Sequence, residues 1–154
     1  MNDTLIALGS DHGGYSLMQA IERYLKELEY QVKNFSLPEP TSVDYPTIAI
    51  AVAHAVASSE CGRGILICGT GIGMSIAANK ILGIRAALCN GIYSARMSRA
   101  HNNANILILG GRIIGEELAR EIVKVWLETP FEGGRHAKRL SLIEELENTE
   151  KRHG

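Results

Sequence analysis

The sequence predicts an α/β domain, a Rossmann-like doubly wound sandwich in which helices cover both faces of a five-stranded parallel sheet. Three observations carry this. Short apolar runs such as Ile65-Leu66-Ile67-Cys68 lack polar alternation, as strands buried on both faces do. Longer runs at helical spacing separate them, which is the βαβ rhythm of a parallel sheet. Several of the apolar runs end in glycine-rich turns, at Gly9 to Gly14, Gly69 to Gly73 and Gly110-Gly111.

Each element has its own justification. Leu5-Ile6-Ala7-Leu8 is the first strand, ending at Gly9. Residues from about 14 to 29 form a helix with Met18, Ile21, Leu25 and Leu28 on one face. Val32 to Phe35 is weaker and reads as an edge strand. A Pro-containing loop, Leu37 to Pro46, leads to an Ala/Val-rich helix over about 47–59. Ile65 to Cys68 is the third strand, and a helix runs from its glycine turn to about Lys80. Ile84 to Leu88 is the fourth strand, 92–100 a helix, and Ile106 to Leu109 the fifth strand. Leu118, Ile122, Val123 and Trp126 mark the next helix. After Gly133-Gly134 a last helix, about 137–150, carries Leu140, Ile143 and Leu146 on one stripe. The chain therefore reads as one domain, 1–154, with residues 131–154 an extension that either covers its own domain or packs on a partner subunit.

A chain of 154 residues buries enough surface to fold without disulfides or a metal. Its 45% hydrophobic and 21% charged residues are ordinary for a soluble domain. A net charge of −1 gives no field toward nucleic acid or anionic membrane, so an anionic ligand needs a local cluster of donors. No basic segment with a long apolar run opens the chain, and no apolar stretch approaches the roughly 20 residues that span a bilayer. Cys61, Cys68 and Cys89 make no even framework and no CxxC pair, as expected of reduced thiols in the cytoplasm.

Ligands of open parallel sheets bind beyond the carboxyl ends of the strands. The turn Cys68 to Gly73 stands there, with glycines on alternate positions that let backbone N–H groups converge on a phosphate or an oxyanion. A strand-tip cysteine beside a helix amino end makes a usable thiolate, although free cysteines are also common as small buried hydrophobes. The G-x-G-x-G spacing after the third strand does not fit a dinucleotide site, and Cys89-Asn90 stands where an acidic ribose ligand would be needed. Asp11-His12 is either a solvated turn or a binding pair. Arg135 and Arg139, four apart beside a glycine hinge, are either a solvated face or a grip for phosphate. His101-Asn102-Asn103 has the form of a helix C-cap with Asn in the left-handed region.

Taken together, Gly9-Ser10-Asp11-His12-Gly13-Gly14-Tyr15, Val43-Asp44-Tyr45-Pro46, Gly64 to Gly73, Ser75 to Lys80, Tyr93-Ser94-Ala95-Arg96, His101-Asn102 and Phe131-Glu132-Gly133-Gly134-Arg135-His136 resemble the ribose-5-phosphate isomerase B family, with its allose and galactose 6-phosphate isomerase relatives. The resemblance runs nearly end to end. It implies a cofactor- and metal-free aldose–ketose isomerase of pentose phosphate metabolism, working through an enediolate in a homodimer. It implies that Cys68 is the base, that His101 assists ring opening, and that Thr70 belongs to the catalytic set. By the same resemblance Asp11, His12, Tyr45, Gly69, Gly71, Ile72, Gly73, Asn102, Arg112, Arg135 and Arg139 bind substrate. Asn103 stands where family members commonly carry Asp. Some members use a glutamate further along the turn as base, but here that region reads Met74-Ser75.

Cys68 belongs to the carboxyl end of the sheet, whereas His101 lies in a helix-to-strand connection at the other end. The expectation is a site shared between two subunits, with dimer and tetramer both left open. The alternatives are a six-carbon 6-phosphate isomerase and a sugar-phosphate-binding regulator without catalysis.

Overall fold

The computed structural model describes residues 3–154. Five strands, β1 (Leu5–Ser10), β2 (Gln31–Asn34), β3 (Arg63–Cys68), β4 (Ala86–Leu88) and β5 (Ile106–Gly110), form one sheet in the order β2-β1-β3-β5-β4. Every pairing is parallel. A single 3-10 turn (His12–Gly14) and helices α1 (Tyr15–Glu27), α2 (Tyr45–Ala57), α3 (Ile72–Ala78), α4 (Ile92–Ala100), α5 (Glu116–Glu128) and α6 (Arg135–His153) complete the chain. Among the described residues no helix is long and apolar enough to cross a membrane.

Side chains that alternate along each strand sort into two cores. Ile6, Leu8, Ile65, Ile67, Leu107 and Leu109 meet α1 and α5 through Ile21, Leu25, Ile122 and Trp126. Ala7, Leu66, Cys68, Ile106 and Ile108 meet α2 and α3 through Ile48, Val52, Met74 and Ala78. The doubly wound sandwich expected from the sequence is therefore the observed one.

Local departures have local causes. Helix α2 starts at Tyr45 rather than 47, because Pro46 in its first turn needs no hydrogen-bond partner for nitrogen. Strand β4 is shorter than expected. The Arg85 N–H donates to Asn105 Oδ1 at 2.8 Å, leaving the sheet ladder at that residue. At the free edge Asn79 replaces a neighbouring strand. Its Oδ1 accepts from Ala86 N–H at 2.8 Å and its Nδ2 donates to Ala86 O at 3.0 Å. Helix α6 begins at Arg135, directly after the glycine pair and two residues earlier than expected. Only His136 and Leu140 of this helix are buried; Leu142, Ile143 and Leu146 are exposed.

Candidate active site

The carboxyl end of β3 delivers Cys68, whose residue is 5% exposed. The chain then reverses through Gly71 at φ +82°, a left-handed conformation that favours glycine. This reversal aims the Gly71 N–H back at the strand tip, where it donates to Cys68 Sγ at 3.1 Å. A donor of this kind binds ionised sulfur more strongly than neutral sulfur. Burial pushes the Cys61 and Cys89 thiols up. Thr70 is exposed, and its Oγ1 accepts from Ile72 N–H at 3.3 Å, which leaves its own O–H to donate outward.

Loops from the neighbouring strands close on this turn. The Asp11 N–H donates to Ile67 O at 3.3 Å, and Asp11 Oδ1 accepts from Gly14 N–H at 3.1 Å, fixing the carboxylate beside β3. His12 is exposed next to it. After β5, the Gly111 N–H donates to Cys68 O at 2.7 Å and the Arg112 N–H to Gly69 O at 2.9 Å. These bonds lay the Arg112 guanidinium over Gly69, so close that a Cβ there would stand 3.2 Å from Nη1. Tyr45, the first residue of α2, lies on Gly73, where a Cβ would come within 2.5 Å of its ring. Asp11, His12, Tyr45, the Cys68 to Gly73 turn and Arg112 thus form one group at the carboxyl ends of β1, β3 and β5.

His101, Asn102, Arg135 and Arg139 form a second group elsewhere. Cys68 pairs in register with Gly110, the last residue of β5, whereas residues 101–105 precede its first residue. The two groups are separated by the length of β5, roughly 13 Å at 3.3 Å per residue. His101 is the C-cap of α4; its N–H donates to Met97 O, and Asn103, not Asn102, takes the left-handed conformation at φ +45°. Asn102, Arg135 and Arg139 are exposed.

Two residues given no role in the sequence reading complete this second group. The His101 and His136 rings stack with centroids 4.1 Å apart and planes 10° from parallel. Glu132 Oε2 lies 3.4 Å from His136 Nε2 and 3.9 Å from His101 Nε2. The sequence signal for them was slight: a Glu and a His at helical spacing across a glycine pair. His136 is buried, and its pKa is lowered by that burial and then by His101, Arg135 and Arg139, with Glu132 opposing. Donor atoms of His101, Glu132 and His136 all lie within 4.8 Å, the one such set among the described residues. Yet a metal must sit about 2.0–2.1 Å from each nitrogen and in the plane of its ring. Two rings stacked face to face offer no such point, so the arrangement suits a proton better than a cation.

Fold and cysteine turn together describe a doubly wound α/β domain with a turn of backbone donors at the carboxyl edge of its sheet. The Ribose/Galactose Isomerase family model matches residues 6–143. Ribose-5-phosphate isomerase B of Escherichia coli (strain K12) is 48% identical over 142 residues, covering 92% of this chain and 95% of that protein. D-erythrulose-4-phosphate isomerase of Pectobacterium atrosepticum is 45% identical over 148 residues, covering 95% and 97%. The solved structure of Clostridium thermocellum ribose-5-phosphate isomerase B superimposes with a TM-score of 0.93 at 55% identity, covering 94% of this chain and 98% of that one. The chain belongs to the ribose/galactose isomerase family.

Proposed function

We propose that this chain is a cytoplasmic isomerase that interconverts ribose 5-phosphate and ribulose 5-phosphate, with Cys68 as the base. The observation that carries this reading is the Gly71 N–H on Cys68 Sγ, within a turn of backbone donors where a sugar oxygen can gain negative charge. In the open-chain aldose, Cys68 takes the proton on C2 and the bonding electrons move to O1, giving an enediolate. The proton then returns to C1, the O2 hydroxyl proton passes to O1, and C2 becomes the carbonyl. Thr70 and the amides of Gly69 to Gly73 hold the two oxygens through that charge change, and Asp11, His12, Tyr45 and Arg112 orient the sugar. Arg135 and Arg139 hold the phosphate, with Asn102 beside it, and His101 assists the preceding ring opening.

Two copies of the chain complete each site, one giving the Cys68 group and the other the His101 group, since a strand's length separates them within one copy. The uncovered stripe Leu142, Ile143 and Leu146 of α6, with Ile72 and Ile76 exposed at α3, is the apolar surface for that pairing. In this reading the later part of residues 131–154 packs on the partner, while Glu132 and His136 hold its start to its own chain.

Inactive Cys68→Ala and His101→Asn proteins, unfolded together and reassembled, regain activity in hybrid dimers if the site is shared. Hybrids that form and stay inactive rule sharing out. Because one relative is named for a four-carbon phosphate, the assay compares four-, five- and six-carbon aldose phosphates. Preference for a six-carbon phosphate would overturn the substrate assignment.

A further inference from the structure

The contacts around His101 give Glu132 a task that the proposed function leaves unassigned. The Glu132 N–H donates to Ala100 O at 3.0 Å, which straps the loop between α5 and α6 across the last turn of α4, one residue before His101. The strap brings one carboxylate oxygen to the edge of two imidazoles, 3.4 Å from His136 Nε2 and 3.9 Å from His101 Nε2. The rings stack, so one carboxylate faces a pair that cannot comfortably carry two protons at 4.1 Å. Their surroundings decide which takes the charge. The His136 side chain is 6% exposed, its Nε2 is buried without a hydrogen bond, and Arg135 and Arg139 stand near it. The His101 side chain is 37% exposed. His136 is therefore a buried platform that fixes the plane of His101, and His101 is the ring exposed to exchange a proton with a sugar.

Resting on the isomerase reading above, we propose that Glu132 is a positioning residue for ring opening. It turns Nε2 of His101 toward its carboxylate, leaves Nδ1 for the sugar, and supplies the counter-charge when that imidazole becomes a cation. The step balances as follows. His101 takes the proton from the anomeric O1 hydroxyl, C1=O1 forms, the C1–O4 bond breaks, O4 takes a proton from water, and the hydroxide left takes the proton back from His101. A carboxylate that orients an imidazole and stabilises its cation is an established device of acid–base catalysis. Here it would serve ring opening and leave the later proton transfer at Cys68 untouched.

That division makes the test selective. In erythrose 4-phosphate the hydroxyl that would close a five-membered ring is esterified, so the substrate needs isomerisation and no ring opening. In Glu132→Gln, with circular dichroism and melting matched to the parent, kcat/KM on ribose 5-phosphate should fall roughly 10- to 100-fold, below the roughly 100- to 10,000-fold of direct acid–base assistance because Glu132 acts through His101. On erythrose 4-phosphate it should stay within about twofold, because Cys68 chemistry is intact. Equal losses on both substrates, or no loss on either, overturn the proposal while the isomerase reading stands. If the parent does not accept the tetrose, exchange of the C1 hydrogen of ribulose 5-phosphate into D2O replaces it. Exchange retained in Glu132→Gln supports the proposal, and exchange lost in step with isomerisation overturns it. A parent protein that isomerises neither sugar sinks both readings. Should Glu132→Gln fail to fold, Glu132→Ala, which keeps the backbone strap to Ala100, carries the same comparison.

Discussion

Replacing Asn103 by Asp should stabilise the protein, and the structure sets the size of the effect. Arg99 Nη1 donates to Asn103 Oδ1 at 2.9 Å and to Ala104 O at 2.6 Å. Burial, and then the like charges of Arg63 and Arg85, hold the Arg99 pKa down to about 10. An arginine stays charged at neutral pH regardless, so the unfavourable surroundings are expressed as a cost of folding. A carboxylate at position 103 puts an opposite charge on a bond whose donor is already ionised, making it an ion pair. Such pairs contribute about 0.2–1 kcal/mol, and a part-buried Arg99 beside like charges belongs at the upper end, so the gain is about 1 kcal/mol. Both Asn and Asp tolerate the left-handed conformation of residue 103, so backbone strain takes little of it back. For a domain of this size the melting temperature should rise by about 2–4 °C at pH 7. The sign with pH is definite. The new carboxyl has a folded pKa below its unfolded value of about 3.9, so the gain is present above that value and vanishes as pH falls through the folded one. Calorimetry of both proteins at pH 7 and pH 3 measures this. A lower melting temperature at pH 7, or an equal gain at pH 3, would refute the reasoning.

Gly71→Ala puts a Cβ 2.5 Å from Leu88 Cδ1 at φ +82°, so it should cost about 2–3 kcal/mol in denaturant melts and remove activity by shifting the amide on Cys68. Trp126 is fully buried, with the Arg63 and Arg99 guanidiniums 5.4 and 5.8 Å from its ring. Trp126→Ala should lower stability by about 3–5 kcal/mol, read by urea titration. His136 has a folded pKa below the ordinary value of 6.5, so the unfolded chain binds its proton first. The parent should therefore lose stability as pH drops from 6.5 through the folded value, and His136→Asn should flatten melting temperature across that window. An unchanged slope contradicts the lowered pKa of this ring.

What could be read from sequence, and what could not, divides along physical lines. Strands β1, β3 and β5 were legible because burial on both faces forces uninterrupted apolar runs. Strand β4 was read too long, since Asn79 and Asn105 side chains replace backbone partners there and side-chain substitution leaves no periodic trace. That β5 lies between β3 and β4 was not legible, because an apolar run states burial and not neighbours. The cysteine turn was legible from its glycines, which backbone geometry demands. The separation of His101 from Cys68 was legible from connectivity alone, as helices of a parallel sheet return to its amino end. The His101–Glu132–His136 cluster was not, since it depends on the loop after α5 closing on the end of α4 through Glu132 and Ala100.

Everything functional converges on the sulfur of residue 68. Conversion of ribose 5-phosphate to ribulose 5-phosphate, followed by NMR for the parent and for Cys68→Ala of matched melting temperature, tests it most directly. Parent turnover, with a loss of at least about 100-fold in the variant, is the predicted result. A folded Cys68→Ala protein that isomerises at the parent's rate would contradict it.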